Sequence, residues 1–177
     1  APGDYRVFDD TSTPPEDLGG VRVLAVGDLP DPSLYDQELT EGYSYITVRD
    51  GVQLSAMVRF PDPQLYGPAP YPTVVEYSGY SPSDPDEPQP STLLANLMGF
   101  AVVGVNMRGS GCSGGVFDVF SPAQAADGYD VVETVARQPW VLHGRPGMVG
   151  LSYPGISQLY VAATRPRCSL NSYVSEP

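Results

Sequence analysis

Lysine is absent from the 177 residues: all nine basic side chains are arginine, set against twenty-one acids, for a formal net charge of −12. A field of that sign repels phosphate backbones, which excludes nucleic-acid binding and favours a neutral or cationic substrate over a polyanion. Cysteine is scarce. Cys112 and Cys168 lie more than fifty residues apart, so neither a disulfide framework nor a zinc-ligand spacing can be read; they pair if the compartment oxidises, or are two unrelated thiols. His143 is the single histidine, and without a Cys/His cluster no metal or other cofactor is expected. No apolar run approaches the ~20 residues that span a bilayer, so a membrane is not an expected partner. The chain begins at Ala1 without a charged-then-apolar leader, and its amino end is read as trimmed.

The composition, 41% hydrophobic and 17% charged, suits a globular chain with one sizeable core. Residues 1–42 are rich in Pro, Gly, Asp and Thr, with Thr13-Pro14-Pro15 and Leu29-Pro30-Asp31-Pro32 interrupting any period. They are read as an irregular arm over the core, with one short strand near Val21–Val26. From 43 onward the pattern sharpens. Two β-branched runs, Tyr43–Val48 and Val52–Phe60, flank Asp50-Gly51, a pair that supplies the positive φ of a tight hairpin.

Strands then alternate with helices: a strand at Thr73–Tyr77, a helix at Ser91–Leu97, a strand at Phe100–Val105, and a helix at Ser121–Arg137 with Ser121 as its cap. A short strand ends at Val149, a helix follows at Ile156–Thr164, and Tyr173-Val174 begins a further strand. This order predicts an α/β fold, a mostly parallel sheet with helices on both faces, entered through an antiparallel hairpin.

Three segments carry chemistry. Gly150-Leu151-Ser152-Tyr153-Pro154-Gly155 lies between a predicted strand and a predicted helix, where a sharp turn presents a serine hydroxyl clear of the sheet. Ser152 is the candidate nucleophile, and the Tyr153 N–H at the helix start is a candidate oxyanion donor. The general elbow pattern has Gly at the second position after the serine; here that position is Pro154. Val75-Glu76-Tyr77-Ser78-Gly79-Tyr80 leaves a parallel strand at its carboxyl end, which places Tyr77 and Tyr80 near the serine's edge of the sheet. A phenol there can donate to a developing oxyanion. Asn106-Met107-Arg108-Gly109-Ser110-Gly111 also follows a strand; Arg108 is placed to pair with Asp127 or Asp130, and the missing P-loop lysine weighs against a phosphate cradle.

Together these segments resemble the α/β-hydrolase family of X-prolyl dipeptidyl-peptidases, cocaine esterases and α-amino acid ester hydrolases. The likeness runs from about Tyr43 to Tyr173: Arg49-Asp50-Gly51, the strand ending at Tyr80, the Arg-Gly-Ser-Gly turn, Asp127-Gly128-Tyr129-Asp130, Trp140 and Gly-x-Ser-Tyr-x-Gly. The family's Tyr-x-Gly after the serine agrees with Pro154-Gly155, and Asn106 stands where many relatives have Asp. The resemblance implies a serine hydrolase of small-molecule esters or X-Pro-type peptides, with Ser152 as nucleophile, the Tyr80 hydroxyl and the Tyr153 N–H as oxyanion donors, and no cofactor. The rival reading is a non-catalytic module that associates with a partner chain.

A serine nucleophile needs a histidine base held by a carboxylate, and in α/β-hydrolases both follow the serine. After Ser152 come twenty-five residues with neither His nor Asp, and Glu176 is their only acid. His143 precedes the elbow on a connection that enters the strand from its amino end, which places it at the opposite edge. Residues 43–177 are therefore read as the first part of a catalytic domain. Its Asp and its His are expected on a complementary segment, without which the chain would be inactive, and the family resemblance implies that this segment also carries a cap and a C-terminal β-domain.

Overall fold

The computed structural model describes residues 2–23 and 28–166, and the chain divides into two compact units, 1–32 and 33–177. The first unit is a two-stranded antiparallel ribbon, β1 (Gly3–Asp9) and β2 (Glu16–Val23). This corrects the expectation of an irregular arm. Pro14 and Pro15 fall in the turn between the strands rather than inside either one, so they terminate pairing without breaking it. Within that turn the Thr11 amide and hydroxyl donate to Asp9 Oδ1 at 2.9 and 2.6 Å, and Glu16 N donates to Ser12 Oγ at 2.9 Å. Of the strand expected at Val21–Val26, Val21–Val23 belong to β2 and the rest lies outside the described residues.

The second unit is built on a five-stranded sheet. Its strands are β3 (Gly42–Thr47), β4 (Gln53–Arg59), β5 (Thr73–Ser78), β6 (Ala101–Asn106) and β7 (Gly147–Met148), in the spatial order β3-β4-β6-β5-β7. Only β4 pairs antiparallel with its neighbours, β3 and β6, so the other four strands point one way. The hairpin turn sits where the Asp-Gly pair predicts it, with Gly51 at φ 84° and Val48 N bonded to Val52 O at 2.9 Å. Among the described residues of the unit there are four α-helices: the single turn α1 (Pro63–Tyr66), α2 (Pro90–Leu97), α3 (Pro122–Ala136) and α4 (Tyr153–Ala163). No helix among the described residues is long and apolar enough to cross a membrane. The strand expected at Tyr173-Val174 lies outside the described residues.

Successive strand residues point to opposite faces, and β5 shows which helices lie on each. The Tyr77 hydroxyl donates to the Gln124 carbonyl of α3 at 3.0 Å, and Ser157 Oγ of α4 reaches back to the Tyr77 carbonyl at 2.7 Å. Its neighbour Glu76 turns the other way and takes a hydrogen bond from Ser91 of α2. Helices therefore cover both faces. Tyr77 is a core residue, not a residue of the serine's edge as its position in the strand suggested. The core joins Ile46, Leu54, Ala56, Val58, Val75, Val103 and Val105 of the sheet to Val131, Val132 and Val135 of α3. Ser121 caps α3 by accepting from Gln124 N at 3.3 Å.

Two carboxylates of α3, Asp127 and Asp130, are fully buried and tie three loops together. Asp130 accepts from the Arg49 amide at 2.9 Å, from Arg49 Nε and Nη2 at 3.0 and 2.8 Å, and from the Tyr35 hydroxyl at 2.9 Å. Asp127 takes Arg108 Nε and Nη2, both at 2.6 Å, while Arg108 Nη2 also reaches Asp50 at 2.9 Å. Of the two partners expected for Arg108, it takes Asp127; Asp130 belongs to Arg49. Between the two acids, Gly128 admits the close packing of α4: a Cβ there would stand 2.2 Å from Val161 Cγ2 and 3.1 Å from the Tyr77 ring.

Removing one member of a buried ion pair leaves the other uncompensated, at a cost of about 3–5 kcal/mol. Asp130→Ala is therefore expected to lower the unfolding free energy by about that amount in urea titration. Loss of less than about 1 kcal/mol would show that the Arg49 clamp is dispensable.

Candidate active site

β5, β6 and β7 run parallel, so the loops leaving their carboxyl ends emerge at one edge of the sheet. Tyr80, Arg108 and Ser152 stand on those three loops. Ser152 occupies the step between β7 and α4, with φ 65° and ψ −120°. A side chain in that region is strained by about 1–3 kcal/mol and persists only where the surroundings impose it. They do so from both sides. Val149 N binds Val75 O at 2.9 Å, continuing the pairing of β7, and Ile156 N binds Ser152 O at 3.0 Å, opening the helix. Gly150 lies so close to α4 that a Cβ on it would stand 2.4 Å from Pro154 Cβ. Ser152 is exposed, and its hydroxyl does not cap the helix that follows it.

Tyr80 and Ser152 line a single open cleft with Glu76, Gln89, Ser91, Leu94, Leu151 and Pro154. Tyr80 is 52% exposed, its carbonyl is held by Gln89 Nε2 at 2.8 Å, and its ring lies 5.7 Å from that of Tyr153. Tyr153 occupies the first position of α4, where a backbone N–H has no partner within the helix. Its ring stacks on Phe120 at 5.0 Å and its hydroxyl donates to Gln124 Oε1 at 3.3 Å. The loops thus bring together the serine and both groups expected to donate to an oxyanion.

Arg108 stays outside the cleft, committed to Asp127 and Asp50. The Asp127 carboxyl is pushed up by burial, and the two bonds from Arg108 oppose that shift. Asn106 is buried and serves as a two-sided amide: Oδ1 accepts from Ser83 N at 3.0 Å and Ser83 Oγ at 2.7 Å, while Nδ2 donates to Ser110 Oγ at 3.3 Å. A carboxylate could accept there but could not donate. His143 is exposed, at φ 58°, in the turn before β7. Its neighbour Leu142 bonds to Tyr71 O at 2.8 Å, ahead of β5, so His143 lies at the amino ends of the strands, away from Ser152. Cys112 is exposed, while Cys168 and Glu176 lie outside the described residues. Among the described residues no group of three or more His, Cys, Asp or Glu is arranged to hold a metal ion.

Sequence reasoning overlooked Glu76. It is only 1% exposed, in the middle of a strand, yet it lines the cleft. A charged residue inside an otherwise apolar parallel strand was the available signal.

A mostly parallel sheet in this strand order, with a strained serine bend between strand and helix, is part of an α/β-hydrolase fold. More narrowly, the sequence profile of the X-Pro dipeptidyl-peptidase (S15) family matches residues 50–171, and the chain belongs to that family. Solved structures share its fold. A CocE/NonD family hydrolase from Staphylococcus aureus is 24% identical, with a TM-score of 0.60 over 78% of this chain and 32% of its own. An α-amino acid ester hydrolase is 23% identical, with a TM-score of 0.57 over 70% of this chain and 23% of its own. Acetyl xylan esterase 1 from Thermoanaerobacterium is 21% identical, with a TM-score of 0.57 over 77% and 53%. The chain thus spans about a third or less of the first two. No match was found among curated proteins.

Burial pushes the Glu76 carboxyl up, and the Ser91 hydroxyl opposes the shift. A carboxyl whose folded-state pKa exceeds its unfolded value contributes most to stability below the unfolded value of about 4.3, and loses that contribution as pH rises through the folded value. Glu76→Gln does not titrate. Its melting temperature relative to the wild type is therefore expected to be higher at about pH 7 than at about pH 4, and an unchanged difference across that range would contradict the burial argument.

Proposed function

We propose that this chain carries the nucleophile of a serine hydrolase that acts on a small ester or an X-Pro-type peptide through an acyl-enzyme. The observation that carries the reading is the strained, exposed Ser152 facing the same cleft as Tyr80. In the proposed reaction Ser152 Oγ attacks the carbonyl carbon and gives its proton to a histidine. The carbonyl oxygen becomes an oxyanion held by the Tyr80 hydroxyl and the Tyr153 N–H. Collapse of the intermediate breaks the bond to the alcohol or amine, which leaves with the histidine's proton. Water, deprotonated by the same histidine, then attacks the acyl carbon and releases the acid and the serine.

The histidine and its carboxylate are supplied, in this proposal, by a complementary segment. His143 is remote from Ser152, and the matched relatives are longer than this chain. A cap on that segment would choose between ester and peptide. The exposed leucines of α2, Leu93, Leu94 and Leu97, favour a second reading, a non-catalytic module that associates with a partner chain.

In the intact protein that carries this chain, a fluorophosphonate is expected to label Ser152 and to leave Ser152→Ala unlabelled. Tyr80→Phe is expected to lower kcat and kcat/KM together by about 100-fold, as for a donor used only in the transition state. Association that survives Ser152→Ala, with no labelling of the wild type, would favour the module instead.

A further inference from the structure

Tyr153 enters the acyl-transfer scheme through its backbone N–H alone, which leaves its phenol ring without a task. The ring is nevertheless held from two sides. Phe120 stacks on it at a centroid distance of 5.0 Å and an interplanar angle of 18°, and its hydroxyl donates to Gln124 Oε1 at 3.3 Å. The same oxygen accepts from Phe120 N at 2.9 Å, and Phe120 stands at φ 56°, a region that a non-glycine residue occupies only where its surroundings impose it. Gln124 is buried in α3, and because Phe120 N can only donate, the amide oxygen is fixed on this side. The Tyr153 ring is thus anchored to α3.

Tyr80 is held differently. Its backbone is fixed, with Tyr80 N donating to Ser78 Oγ at 3.2 Å and Gln89 Nε2 donating to the Tyr80 carbonyl at 2.8 Å. Its side chain is half exposed, and among the described residues its hydroxyl makes no hydrogen bond. What the Tyr80 ring does meet is the Tyr153 ring, 5.7 Å away at 44°, an ordinary separation for an attractive aromatic pair. A donor stabilises a developing oxyanion best when its direction is set before the charge appears.

We infer that the Tyr153 side chain is a positioning group, which, anchored by Gln124 and Phe120, fixes the rotamer of Tyr80 so that its hydroxyl faces the oxyanion. The inference deepens the acyl-transfer reading and rests on it. One residue then sets both donors, the first with its own N–H and the second with its ring.

In the intact protein, Tyr153→Leu keeps the N–H and removes the ring. With kcat expressed per serine titrated by fluorophosphonate, this variant is expected to lower kcat about tenfold and to leave KM within about twofold. Once Tyr80→Phe has removed the hydroxyl there is nothing left to position, so in that background Tyr153→Leu is expected to change kcat by less than about twofold. No loss in the single variant, or losses that multiply in the double variant, would overturn the inference, since a general loosening of the bend acts whether or not the hydroxyl is present. Should Tyr153→Leu not fold, Tyr153→Phe, which loses only the bond to Gln124, takes its place in the same cycle with an expected loss of about threefold. A Tyr80→Phe variant as fast as the wild type, or a Ser152 that does not react, would instead remove the donor or the nucleophile from the acyl-transfer reading. A crystal structure of the Tyr153 variant then decides the positioning: a Tyr80 ring displaced or split between rotamers supports it, and an unmoved ring overturns it.

Discussion

The bend at Ser152 is the constraint around which this half of the molecule is arranged. A non-glycine residue at φ 65° and ψ −120° relaxes unless both flanks are pinned. One flank is held by the sheet, through Val149 and Val75, and the other by α4, through Ile156 and the Ser157 hydroxyl on the Tyr77 carbonyl. The backbone at Gly150 passes so close to Pro154 that the turn has no room for a side chain there. Exposure of the serine hydroxyl follows from this, since the bend carries residue 152 past the sheet edge before the helix begins.

The motifs that the sequence displays as separate segments prove to be one network. Arg49 and Asp50 of the hairpin turn, Arg108 after β6, and Asp127 and Asp130 of α3 exchange charge-assisted hydrogen bonds, with Asp50 and Asp127 sharing the Arg108 guanidinium. The arginine fork suits this use because it presents several donors in one plane. Buried ion pairs of this kind add little net stability, but they penalise any arrangement that parts the partners. The network thus fixes where the loops at the carboxyl ends of the strands lie relative to α3. Tyr129 and Gly128, between the two acids, have packing tasks: the Tyr129 ring lies 5.5 Å from the Arg49 guanidinium carbon, and Gly128 lets α4 approach.

The surroundings of the serine are asymmetric in their chemistry. On the α3 and α4 side, Tyr80 and Phe117 meet the Tyr153 ring, and Phe120 stacks between Tyr153 and Tyr160; of these rings only Tyr80 lines the cleft. On the α2 side the polar groups are Glu76, Ser91 and Gln89. The alternation of β5 explains the division, since Tyr77 and Glu76 are adjacent in sequence and face opposite layers.

Period and punctuation made most of the second unit legible. β-branched runs, the Asp-Gly turn, the Ser121 cap and the Gly-x-Ser-Tyr-x-Gly bend each act over a few residues, and local signals of that range are written directly in the chain. The ribbon of residues 3–23 was not legible, because its prolines and glycines resemble those of an irregular arm until the strands are seen to pair on either side of them. Tyr77 read as a site residue and Glu76 as nothing at all, and both assignments turned on which face of β5 meets which helix. Residue types and bends are properties of short segments, and the sequence by itself determined them. Which carboxylate takes which arginine, and which acid lines the serine's cleft, depends on contacts between residues far apart in the chain, and only the tertiary structure decided that.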